Sequence, residues 1–115
     1  MRVSPIILAA ALLSLGSCDV VTSRYATLDD ARKDRLFERG WLPDILPGSA
    51  RDIRVSSDLD ANHAEGEFSF EPADFTVFTA RLHARDGKSF DYSKDKHMWV
   101  FTCDSDRGHC RFSMR

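Results

Sequence analysis

The chain has 115 residues with 16 Lys+Arg, 18 Asp+Glu and three cysteines, for a formal charge of −2. That length holds a single domain, and the charge balance leaves no basic surplus for nucleic acid. Apolar residues make up 43 % and aromatics 10 %, a globular composition and not that of a disordered chain. An odd cysteine count asks for an explanation.

Met1-Arg2 is a short positive start, and Ile6 to Leu15 is apolar apart from Ser14. At helical rise that run reaches about 15 Å, half of a bilayer core near 30 Å. It reads as the apolar part of a signal peptide, not as a spanning helix. Leu15-Gly16-Ser17-Cys18 follows, and this tetrapeptide resembles the lipobox of bacterial lipoproteins. The resemblance implies removal of residues 1–17 and acylation of Cys18, with the mature chain held on a membrane by its lipid. The lipobox implies a membrane-anchored protein facing the periplasm, and Asp19, which resembles the inner-membrane retention signal of enteric-type bacteria, leans toward the inner membrane with the outer membrane left open. A second reading stays open: Ser14-Leu15-Gly16 also suits a conventional signal peptidase, leaving Cys18 a free thiol.

Residues 18–26 read as a short lipidated tether too mixed to form an element, and 27–115 as one domain. Thr27 can cap a helix whose first turn carries Asp29 and Asp30, with Gly40 at a left-handed stop and Pro43 beyond. The expected helix runs from about 28 to 39. Trp41-Leu42-Pro43 and Ile45-Leu46-Pro47 form an apolar loop expected to close over the core.

Ile53 and Val55 alternate with polar residues, as do Ala64, Gly66, Phe68 and Phe70, so each run reads as a strand. The turn residues Asp58 to Asn62 between them predict a hairpin. Pro72 and Asp74 suit the start of a second helix, with Phe75, Phe78 and Leu82 on one face and Asp86-Gly87 at its end. A strand over Phe75 to Thr79 is the alternative.

Trp99, Phe101 and Cys103 share one face of a strand, and Cys110, Phe112 and Met114 share one face of the next. Setting Cys103 opposite Cys110 puts Phe101 opposite Phe112 and Trp99 opposite Met114, all on one side. A disulfide between Cys103 and Cys110 fits that register and an oxidising compartment. The expected fold is α+β: a small antiparallel sheet in the order α-β-β-α-β-β, with helices on one face.

Chemistry is thinly marked. Asp58-x-Asp60-x-Asn62 starts like a calcium loop, but His63 and Ser69 stand where its glycine and glutamate belong. Cys103, His109 and Cys110, with His97, lack zinc-ligand spacing, and C-x₆-C is not a redox pair. No metal or cofactor is expected. No nucleophile motif frames a catalytic residue, which points away from an enzyme. Trp41, Leu42, Pro43, Ile45 and Leu46 are the candidate partner-binding residues, should part of that loop stand exposed.

Beyond the lipobox, Tyr25-x-Thr27, Gly40-Trp41-Leu42-Pro43, Leu46-Pro47 and Asp58-x-Asp60-x-Asn62 resemble a pattern in small uncharacterised proteobacterial lipoproteins, over residues 25 to 70. That resemblance implies a small envelope domain and brings no activity with it. The expected function is a lipid-anchored, non-catalytic binding or assembly module of the cell envelope with a protein partner. The alternatives are an inhibitor of an envelope enzyme, and a small hydrolase using His63 or His109.

Overall fold

Period-two burial recurs in several segments, and strand pairing joins them into one sheet. The computed structural model describes residues 19–115; the leader and Cys18, with its expected acyl group, lie outside the described residues. The strands are β1 (Val20–Thr27), β2 (Arg51–Asp58), β3 (His63–Ser69), β4 (His83–Ala84), β5 (Ser89–Lys94), β6 (His97–Asp104) and β7 (His109–Met114). They form a seven-stranded antiparallel sheet in the order β1-β2-β3-β7-β6-β5-β4. Two meanders, β1–β3 and β4–β7, are therefore joined edge to edge where β7 pairs with β3.

This overturns the α+β expectation. The helical pieces are α1 (Leu28–Lys33), a 3₁₀ turn at Pro72–Asp74 and α2 (Phe75–Thr79), six, three and five residues long. The fold is mainly β, and irregular chain covers much of the sheet's apolar face. Thr27 does cap α1, accepting a hydrogen bond from the Asp30 amide at 3.1 Å. The helix nevertheless stops after Lys33. Arg35 adopts φ 58°, and the Leu36 and Arg35 amides donate to the Ala31 and Arg32 carbonyls, the pattern of a Schellman closure. Leu28 and Ala31 are buried, and an unbroken helix would bring the Arg35 cation onto the same face. The break turns Arg35 outward and buries Leu36 in its place. Gly40, at φ 84°, ends the following turn instead of the helix.

The second helix is shorter than its apolar spacing suggests. Phe78 is buried, but the chain leaves helical geometry after Thr79 because His83 and Ala84 pair with Asp91 and Phe90 of β5. Strand pairing decides against local periodicity here. Residues expected as a tether form β1, which pairs with β2 from Val20↔Asp58 to Thr27↔Arg51. Tyr25 alone is buried on this edge strand, so little alternation marks it.

The β2–β3 hairpin forms with a bulge, since three steps along β2 from Arg51 to Arg54 face two along β3. Asp52 carries the bulge at φ 50°. At the turn, the Asp58 carboxylate accepts hydrogen bonds from the Asp60 and Ala61 amides, so this acidic run serves as an Asx turn. The β6–β7 register is Trp99↔Met114, Phe101↔Phe112 and Cys103↔Cys110, and the two cysteines form a disulfide.

The apolar face presents Ile53, Val55, Ala64, Phe68, Phe101, Phe112 and Met114 to a cover that includes Leu28, Ala31, Leu36, Leu42 and Phe78. Phe78 reaches down from the crossover and meets Phe101 and Phe68 edge-on at 5.5 and 5.8 Å. Gly66 completes the seam. A Cβ there would collide with the Arg54 carbonyl and stand 2.8 Å from the Phe112 ring, so β3 can carry no side chain at this point.

Two stability predictions follow from this packing. Phe78→Ala should lower the unfolding free energy by about 3–5 kcal/mol in urea titration, through the lost burial and the residual cavity. Replacing both Cys103 and Cys110 by Ser should cost about 2–3 kcal/mol by the same measurement, as expected for so short a loop.

Candidate functional site

The second face of the sheet stays open and polar. Arg54 of β2, Glu65 and Glu67 of β3, and His109 and Arg111 of β7 point outward from alternate positions whose neighbours fill the core. Arg54 is the centre. Its Nη1 and Nη2 donate to the Glu65 carboxylate at 3.0 and 3.1 Å, and its Nε donates to Glu67 at 3.1 Å. Glu67 uses its other oxygen on His109 Nε2, 2.9 Å away. Four side chains on three adjacent strands thus form one chain of ion pairs and hydrogen bonds.

The electrostatics follow from these contacts. Hydrogen bonds from Arg54 hold the Glu65 carboxyl below its ordinary range. Glu67 is held down by His109 first and Arg54 second. Glu65, and then Glu67, hold Arg54 more firmly protonated than usual, against a desolvation that opposes it. The guanidinium side chain is only 20 % exposed, so these contacts are less screened than a typical surface pair.

Beyond His109 the face opens into a groove of about 690 Å³, bordered by Glu67, Lys88, Thr102, Asp104, His109 and Arg111. Its walls come from β3, β6, β7 and the loop before β5. Both cations and anions line it, which suits an extended polar ligand better than an enclosed apolar cofactor. His109 faces Glu67 with the spacing of a base and its orienting acid. Among the described residues the two cysteines are tied together, and no group of three His, Cys, Asp or Glu side chains is placed to hold a metal ion. His63 stands elsewhere, at the start of β3 opposite Asp58.

The candidate partner-binding loop lies on the other side of the sheet. Leu42, Pro43 and Leu46 are buried, while Trp41 and Ile45 are half-buried. The Trp41 carbonyl accepts a hydrogen bond from Trp99 Nε1 at 2.9 Å, tying the loop to β6. Leu42 and Pro43 border a depression of about 360 Å³ beside Trp99, and Ile45 and Leu46 border one of about 300 Å³ beside Val77. These residues act chiefly as cover for the sheet, with two shallow hollows at their margins. Nearby, the Tyr25 hydroxyl donates to Asp34 at 2.6 Å and Arg39 donates to both, pinning β1 to the turn after α1. The bond from Tyr25, then that from Arg39, lowers the Asp34 carboxyl below its ordinary range.

The open-face network has a partial signature in the chain. Alternation turns Arg54, Glu65 and Glu67 outward, and the β2–β3 hairpin makes them neighbours. His109 joins them only through the β3–β7 pairing, which no local pattern announces.

Fold and site together define a single-layer antiparallel sheet with one covered apolar face and one open polar face. The YbbD head domain matches residues 19–69, a stretch that takes in β1, α1, β2 and β3 and leaves out the second meander. No curated protein and no solved structure matches the chain.

The Arg54 network predicts an acid-sensitive fold. Glu65 and Glu67 bind protons more readily unfolded than folded, so their contribution is present above the ordinary glutamate pKa and is lost on acidification. Urea midpoints should fall between about pH 5 and pH 3, a window around the usual glutamate value near 4.3. The Glu65→Gln, Glu67→Gln double variant should show a shallower fall over the same window.

Proposed function

We propose that the protein is a lipid-anchored envelope protein acting as a non-catalytic binding or assembly module. The observation that carries this reading is a shared boundary. The lipobox-like tetrapeptide ends at Cys18, and similarity to the YbbD head domain begins at residue 19. That similarity supports an envelope-related protein, and the Cys103–Cys110 disulfide suits an oxidising compartment. With β1 starting at Val20, the tether shrinks to almost nothing, and the sheet itself stands beside the lipid.

The open face supplies the binding surface. Its groove lies at the β3-end, β7-start end of the sheet, whereas Asp19 and Val20 lie at the opposite end. An anchor at Cys18 therefore presents the groove away from the membrane. The mixed charges around it favour a polar partner segment, with Lys88 and Arg111 facing carboxylates and Asp106 facing cations, while Asp104 pairs with Arg107. His109 acts in this reading as a link in the Glu67–Arg54 network and not as a base.

Mass spectrometry of the protein purified from membranes should show a mature N-terminus at an acylated Cys18. Cys18→Ala should move the protein to the soluble fraction or leave it unprocessed. An unmodified N-terminus at Ser17 or Cys18 would overturn the anchor. Cross-linking in intact envelopes should give a reproducible adduct that Arg111→Glu weakens; adducts unchanged by that variant would remove the groove as the binding surface.

A further inference from the structure

The antiparallel order brings the start of β1, the β2–β3 turn, the end of β7 and the β5–β6 turn to one end of the sheet. Exposed apolar side chains gather there. Val20 is 55 %, Val21 48 %, Leu59 58 % and Met98 37 % exposed. Among the described residues the one other large apolar side chain so exposed is Val77, on α2. Leu59 and Asp19 are joined directly, the Leu59 amide donating to the Asp19 carbonyl at 3.0 Å. Met98 and Arg115 exchange backbone hydrogen bonds at 2.9 and 3.0 Å, which sets Met98 in the same row.

We infer that this strand end is a membrane-docking rim, seating Leu59 and Met98 in the headgroup layer of a zwitterionic bilayer so that the sheet stands upright on it. The inference rests on the lipid anchor proposed above. Asp19 alone separates Cys18 from Val20, two residue steps with a reach of about 7 Å at most, so an acyl group on Cys18 brings the rim to the surface. Met98 stands four strand spacings from β1, about 19 Å along the rim, too far for the anchor alone to hold it down. Its apolar side chain gives the second point of contact.

The charges select the lipid. Asp19, Asp58 and Asp60 lie at the anchored corner, and Lys94, Lys96 and Arg115 lie toward the other. A headgroup bearing both an ammonium and a phosphate can meet both sets, whereas an anionic surface would repel the first. Because the acyl chains supply the affinity, the rim has only to fix orientation, and a few partly inserted side chains suffice. The groove then stands one strand length above the surface, about 27 Å for an eight-residue strand.

The test uses the lipidated full chain in phosphatidylcholine nanodiscs loaded with one copy each, with and without a gadolinium-headgroup lipid. Methyl NMR should show the Leu59 and Met98 signals lost to paramagnetic broadening, with Val77 retained. In a Leu59→Asp, Met98→Asp variant that still co-elutes with the disc, a methyl of the neighbouring Met114 should be broadened less than in the parent. Equal broadening of Val77 and Met98, or none at either, in protein that carries the acyl mass would overturn the rim and leave the anchor standing. Broadening that needs two copies per disc would assign the rim to self-association and overturn it as well. Protein purified from membranes that carries no acyl mass on Cys18 would overturn the anchor, and the rim with it.

Discussion

Phe78 holds the two halves of the sheet together. It stands on the segment that crosses from the first meander to the second, and it packs edge-on against Phe68 of β3 and Phe101 of β6. A single-layer sheet has just one face to bury, so its stability depends on how well that face is covered. With helices of six and five residues, most of the covering area must come from irregular chain. Four fully buried phenylalanines at the centre supply apolar area that such a cover could not supply by regular packing. The crossover also lets β7 reach β3, and without that pairing neither the core nor the open face is complete.

The open face depends on the same seam. Arg54 and the two glutamates are assembled by the first hairpin, but His109 reaches Glu67 only because β7 lies beside β3. One tertiary pairing thus builds the apolar cluster on one side of the sheet and extends the polar network on the other. A groove with charged walls opens next to the network, at the strand end remote from residue 19. The groove and residue 19 thus lie at opposite ends of the same strands.

Much of the fold is legible where burial is alternating and turn chemistry is explicit. The β2–β3 hairpin and the β6–β7 register, disulfide included, follow from Ile53, Val55, Phe68, Trp99, Phe101, Phe112 and Met114 taken in twos. Three features hide. Strand β1 buries Tyr25 alone, so period two scarcely shows. The β5–β6 turn places Asp95 and Lys96 at φ 53° and 69°, without the glycine or asparagine that usually marks such geometry. Arg35 does the same at the end of α1, where Gly40 looked like the stop. In each case a side chain that disfavours left-handed backbone, or an edge with little to bury, conceals the element.

The amino-acid sequence by itself determined which residues lie on a buried face, how the last hairpin pairs, and that two cysteines form a staple. These are short-range matters, decided by alternation and by residues directly opposite one another. Tertiary structure decided the class of the fold. Apolar spacing at Phe75, Phe78 and Leu82 favours a long helix, yet pairing of His83 and Ala84 with β5 cut it short. Likewise the meeting of Glu67 with His109 depends on residues 42 positions apart, and only the closing of β7 onto β3 brings them within 2.9 Å. Local patterns report what a segment can bury; which segment it is buried against is settled by the whole chain at once.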